Sequence, residues 1–160
     1  MENSFTEIQT SRIQLLIDAL KSDKYAQGTG VLNRNNEGYC CLAIACEVAI
    51  ESGLNVEKKF VCDLTPEQLI EQDAEEVDKN SIAYDKYVYY LPPSVQEWFG
   101  FADNQGQFVN SPVRKVFVSG ENGGAYQHLA AMNDKLESFE YIASVIKKYW
   151  IDPWTSKEAA

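Results

Sequence analysis

Apolar residues recur at near-helical spacing over residues 6–22. Ile8, Ile13, Leu16, Ile17 and Leu20 keep near-helical spacing, with Glu7, Arg12, Asp18 and Lys21 elsewhere on the wheel. The pattern predicts an amphipathic helix that stops at Ser22-Asp23-Lys24. Residues 41–52 differ, because apart from Glu47 and Glu51 they are apolar nearly all round. A helix of that kind belongs in the middle of a core. Gly53 then supplies a C-terminal cap. Between the two helices, residues 30–33 and 37–39 predict a short hairpin or extended loop around the turn Asn33 to Gly38.

The second half alternates short elements. Residues 59–64 predict a strand, and Thr65-Pro66-Glu67-Gln68 a helix start with Thr65 as N-cap and Gln68 closing a capping box. The acidic run that follows, to Asp78, predicts a solvated helix or loop. Residues 84–91, rich in Tyr and Val, predict a strand. Pro92-Pro93-Ser94 opens a short helix through Trp98 to Phe99. Residues 107–110 and 113–118 are candidate strands, and a glycine-rich link, 120–124, precedes a helix over 125–132. Asn133-Asp134 then reads as a helix-ending turn. Ser138 caps a last helix through Tyr149, with Phe139, Ile142, Ala143, Val145 and Ile146 inward. The fold class expected is α+β: one domain over 1–160, a central apolar helix packed with flanking helices against a small, mainly antiparallel sheet. Flexible ends are expected at 1–5 and 155–160.

Composition narrows the function classes. A hydrophobic fraction of 45% argues for a packed globule. The net charge of −10 repels phosphate backbones and argues against bulk nucleic-acid binding. The same charge serves solubility, or steers toward a basic protein partner. The opening Met1-Glu2-Asn3-Ser4 lacks a basic region followed by an apolar core, so no signal peptide is expected. No apolar run approaches a membrane span. Cys40, Cys41, Cys46 and Cys62 show no Cys-x-x-Cys spacing and His128 is the single histidine, so neither a metal nor another cofactor is expected.

Candidate chemistry gathers at few places. Cys40 and Cys41 sit at a helix start, where the positive end of the macrodipole favours thiolate. Gln27 upstream is a candidate oxyanion donor, but no base is placed, since His128 falls inside a helical stretch. The commoner role for such cysteines is as small hydrophobes feeding a core. The glycine-rich link, with Gly123 and Gly124, offers backbone N–H groups to an anion, and Arg114, Lys115 and Arg34 are cations that would converge there. It lacks the Gly-Lys-Ser/Thr ending of a P-loop, and its commoner role is a flexible connection. Tyr39, Tyr87 and Tyr89 are candidate stacking rings, the last two on one face of the expected strand.

Several segments carry a resemblance. They are Ala19-Leu20-Lys21-Ser22, Gln27-Gly28 and Tyr39-Cys40-Cys41-Leu42-Ala43 with Cys46, then Leu91-Pro92-Pro93-Ser94-Val95 with Trp98-Phe99-Gly100. Leu129-Ala130-Ala131-Met132-Asn133-Asp134 leads on to Ser138-Phe139. In order and spacing the chain resembles a family of small proteins carried by tailed bacteriophages and prophages. The resemblance implies a phage origin and a host bacterial cytoplasm, and it brings no catalytic residue to carry over. With no credible catalytic constellation, the function expected is a non-enzymatic binding protein. It would counter host defence by sequestering a small nucleotide signal or by occluding a host protein. The alternatives are a cysteine-dependent enzyme using Cys40 or Cys41, and a phage structural or assembly component. Self-association is left open.

Overall fold

The computed structural model describes residues 7–106, 118–121 and 124–151. Among these residues, six α-helices and two separate two-stranded antiparallel sheets give an α+β architecture. Helix α1 spans Glu7–Lys21 and α2 spans Cys41–Glu51. Strand β1 (Lys58–Phe60) runs into a 3-10 turn, Val61–Asp63, and then α3 (Pro66–Glu71). Strand β2 (Ile82–Tyr84) is followed by α4 (Pro93–Phe99), β3 (Val118–Ser119) and β4 (Ala125–Tyr126). Helices α5 (Leu129–Asp134) and α6 (Phe139–Ile146) come last, α6 passing into a π-helical turn, Lys147–Ile151. β1 pairs with β2, Lys59 opposite Ala83, and β3 pairs with β4.

Helix α2 is the core element that its sequence predicts. Eight of its 11 residues are buried. Its core cluster also holds Ile13, Leu16, Ile17 and Leu20 of α1, Val95 and Phe99 of α4 and Leu129 and Met132 of α5, with Ile142 and Ile146 of α6 completing it, α6 being packed on α1. Each such aliphatic or aromatic side chain contributes about 1.5–3 kcal/mol when fully buried. A smaller cluster, Val31, Val61, Leu64, Ala74, Ala83 and Val88, lies under β1, β2 and α3. At its end α2 closes as a Schellman motif. Gly53 takes φ +103°, its N–H donates to Ile50 O, and the Leu54 N–H donates to Ala49 O. Thr65 and Gln68 form the predicted capping box on α3. Ser138 Oγ accepts from the Tyr141 N–H at the start of α6.

Three expectations fail for local reasons. The strand expected over 59–64 ends at Phe60, because Val61–Asp63 coil into a 3-10 turn. The Tyr-rich stretch 84–91 is not one strand. Tyr84 ends β2, Asp85 turns left-handed at φ +57°, and Tyr87 folds back to pair with Tyr84. Aromatic β-propensity loses there to an Asp that tolerates the turn. The helix expected over 125–132 starts only at Leu129, because Ala125-Tyr126 pairs with β3. His128 is its N-cap rather than a mid-helix residue, its Nδ1 accepting the Ala131 N–H at 3.3 Å. Asn133 and Asp134 lie in the last turn of α5, just ahead of the turn expected. The expected strand over 107–110, and 113–117 of the next, lie outside the described residues.

Candidate functional site at the head of helix α2

The N-cap of α2 is Cys40, and its side chain makes no cap hydrogen bond. The capping comes instead from across the fold. Asn133, in α5 and fully buried, accepts the Cys41 N–H through Oδ1 at 3.1 Å. The same Oδ1 accepts from Gln27 Nε2 at 3.1 Å, and Asn133 Nδ2 donates to Gly28 O at 2.8 Å. Gln27 Nε2 also donates to Glu137 O at 2.8 Å. One amide thus ties α5 to two segments that lie 92 and 105 residues earlier in the chain. The arrangement needs Gly28, because a Cβ there would lie 2.7 Å from the Gly38 carbonyl carbon.

Beside this node is a small depression of about 60 Å³. Gly30, Val31 and Cys40 line it from one loop, Tyr89 and Tyr90 from another, and Ala130 and Asp134 from α5. The neighbouring Cys41 side chain favours the Cys40 thiolate most, and the Leu42 and Ala43 N–H groups add to this. Together they hold the Cys40 thiol below its ordinary pKa against burial and the Asp134 carboxylate. The same contact, with burial, pushes Cys41 well up. Burial, with Glu47 nearby, does the same to Cys46. Cys41 Sγ lies 3.6 Å from Leu129 O, turned into the core. Cys40 is 6% exposed, so little of its sulfur meets solvent.

The candidates named from the sequence are only partly brought together. Cys40 and Tyr89 meet at the depression. Tyr89 Oη also donates to Asp73 O at 3.0 Å. Gln27 and Cys41 meet at Asn133. Arg34 turns back on its own loop, Nε and Nη2 donating to Thr29 O. Tyr39 is buried, its ring edge-on to Tyr25 and its hydroxyl donating to Asn36 Oδ1 at 2.8 Å. Tyr87 is half-buried, 5.7 Å from the Lys86 ammonium, and pairs with Tyr84 outside any strand that would carry it with Tyr89. Gly124 closes the β3–β4 turn by accepting from the Gly120 N–H. Arg114, Lys115 and Gly123 lie outside the described residues.

Sequence reasoning missed Asn133 as the organiser, Asp134 and Tyr90 as lining, and Glu137 as a buried anchor. Glu137 accepts from Tyr126 Oη at 3.0 Å and from the Glu121 N–H at 3.1 Å, pinning the β3–β4 hairpin to the α5–α6 link. A usable signal lay in the resemblance itself, since its segments around Gln27, Cys40 and Asn133 are the ones that converge. Among the described residues no group of His, Cys, Asp and Glu is placed to hold a metal ion. No helix among them is long and apolar enough to cross a membrane.

No curated protein and no solved structure matches this chain. Residues 9–150 match the model of a domain of unknown function, DUF8296, a span that holds the node and the whole lining of the depression. The chain belongs to the DUF8296 family.

Proposed function

We propose that this chain is a non-enzymatic binding protein of phage origin that counters host defence in the host bacterial cytoplasm by occluding a host protein. The observation that carries the reading is the aromatic rim of the α2 depression. Tyr89 and Tyr90 stand with ring centroids 6.4 Å apart, and Tyr90 is 41% exposed. An exposed tyrosine beside a half-buried one is the kind of aromatic pair that anchors protein interfaces. The net charge of −10 supports a partner with a basic face. At about 60 Å³ the depression itself is far below the roughly 300–1,000 Å³ of small-ligand sites, so occlusion is favoured there over nucleotide sequestration. Affinity capture from a bacterial lysate tests this, comparing the wild-type chain with a Tyr89→Ala/Tyr90→Ala double variant. The expected result is one stoichiometric host protein held by the first and lost by the second. Retention by both, or by neither, would sink the reading.

A second reading, thiol chemistry at Cys40, is supported by one observation: the Cys40 side chain lines the depression while Cys41 and two backbone N–H groups favour its thiolate. Iodoacetamide at neutral pH followed by peptide mapping separates the two. An inert Cys40 in the folded protein rules the thiol reading out.

A further inference from the structure

A second cleft, built from other elements, is left unexplained by a protein-occluding face. It runs between β3 and the end of α6, has a cavity volume of about 400 Å³, and falls in the roughly 300–1,000 Å³ range of small-molecule sites. Val118 and Val145 are its buried valines, 6% and 5% exposed. Tyr141 and Tyr149 supply two half-buried rings, and Ser144 and Lys148 its exposed polar groups. Lys148 and Tyr149 belong to the π-helical turn Lys147–Ile151. Such turns occupy well under 1% of residues and recur at functional sites, because the widened turn re-aims the side chains it carries.

The lining is polarised. At one end Tyr141 donates its hydroxyl to Ser119 O, and burial with the nearby Glu137 and Glu121 carboxylates pushes its pKa up. That end is acidic. At the other end is the Lys148 ammonium, 5.5 Å from the Tyr149 ring centroid. Among the described residues no carboxylate forms an ion pair with it. The two tyrosines are eight residues apart, roughly 10–12 Å along a helix axis. A planar ring beside Tyr149 and an anionic group on the adjacent Lys148 ammonium, 5.5 Å from that ring's centroid, fit together at this end of the cleft.

We propose that this cleft binds an aromatic phosphate of mononucleotide size, its ring against Tyr149 and its phosphate on the Lys148 ammonium. The phosphate is placed at the lysine end because Glu121 and Glu137 repel it at the other. This goes beyond the protein-occluding reading and does not depend on it, since no residue is shared with the α2 depression.

Titration calorimetry on the full chain tests it, with adenosine monophosphate as probe and adenosine and inorganic phosphate as comparisons. The monophosphate is expected to bind saturably, more tightly than either part. Lys148→Gln should weaken it about tenfold, equivalent to roughly 1.4 kcal/mol, and leave adenosine unchanged. Tyr149→Leu should weaken both. Lys148 is exposed, so its variant keeps the wild-type melting temperature and its result stands whether or not the tyrosine variant folds. Absence of saturable binding at millimolar monophosphate overturns the proposal. So does wild-type affinity in Lys148→Gln, or inorganic phosphate binding as tightly as the monophosphate.

Discussion

Replacing Asn133 with alanine tests the tertiary cap of α2 through a magnitude that the geometry sets. The change removes one side chain and three hydrogen bonds: from the Cys41 N–H, from Gln27 Nε2, and to Gly28 O. The Cys41 N–H is buried and has no other acceptor placed for it, so orphaning it costs about 1–3 kcal/mol. The Gly28 carbonyl is only partly buried and water reaches it, which adds about 0.5–1.5 kcal/mol. Gln27 keeps its bond to Glu137 O, so its loss is small. The sum is about 1.5–4.5 kcal/mol. For a chain of this length each kcal/mol shifts the melting temperature by roughly 2–4 °C. A fall of roughly 3–18 °C is therefore expected. Urea unfolding followed by circular dichroism gives the free energy, and calorimetry the temperature. Asp134→Ala, one residue on and exposed, should stay within about 0.5 kcal/mol of wild type. A loss below about 1 kcal/mol for Asn133→Ala would mean that the node adds nothing net, and the reasoning would fail.

Three further outcomes follow from single residues. Gly28→Ala should destabilise by more than about 2 kcal/mol in urea unfolding, because its Cβ meets Gly38 backbone that has no flexible end to yield. Leu136→Gly should stabilise by about 0.5–1 kcal/mol, since Leu136 holds the left-handed position of a Schellman motif at φ +60° while 64% exposed. A fall in midpoint would show that its side chain is needed where it stands. Cys41→Ala should move the pH profile of Cys40 alkylation upward, because the thiol that favours the Cys40 thiolate is gone. The sign for stability agrees: a lowered folded pKa stabilises above the unfolded thiol value and is lost as pH falls through the folded one. A profile that does not move contradicts the role assigned to Cys41.

Legibility in the sequence followed the range of the interactions. Helix α2, the Gly53 cap, the Thr65–Gln68 capping box and the Ser138 cap rest on neighbours within a few residues, and all were readable. Asp85 ended β2 because a left-handed turn two residues long interrupts a run whose composition favours a strand. His128 became a cap because β4 claimed the residues before it, a pairing that spacing does not reveal. The candidate site was half legible. Cys40 and Tyr89 were named, yet the node beside them is organised by Asn133, whose partners lie 92 to 106 positions away. In the sequence Asn133 looks like an ordinary turn residue, and only burial shows that its amide is fully used.

Hydrogen exchange on the chain with and without its captured host protein tests the occluding face most directly. Protection gained on binding should fall at residues 30–32, 89–90 and 130–134, the three stretches around the α2 depression. Protection confined to α1, to α3 or to the cleft along α6 would contradict it.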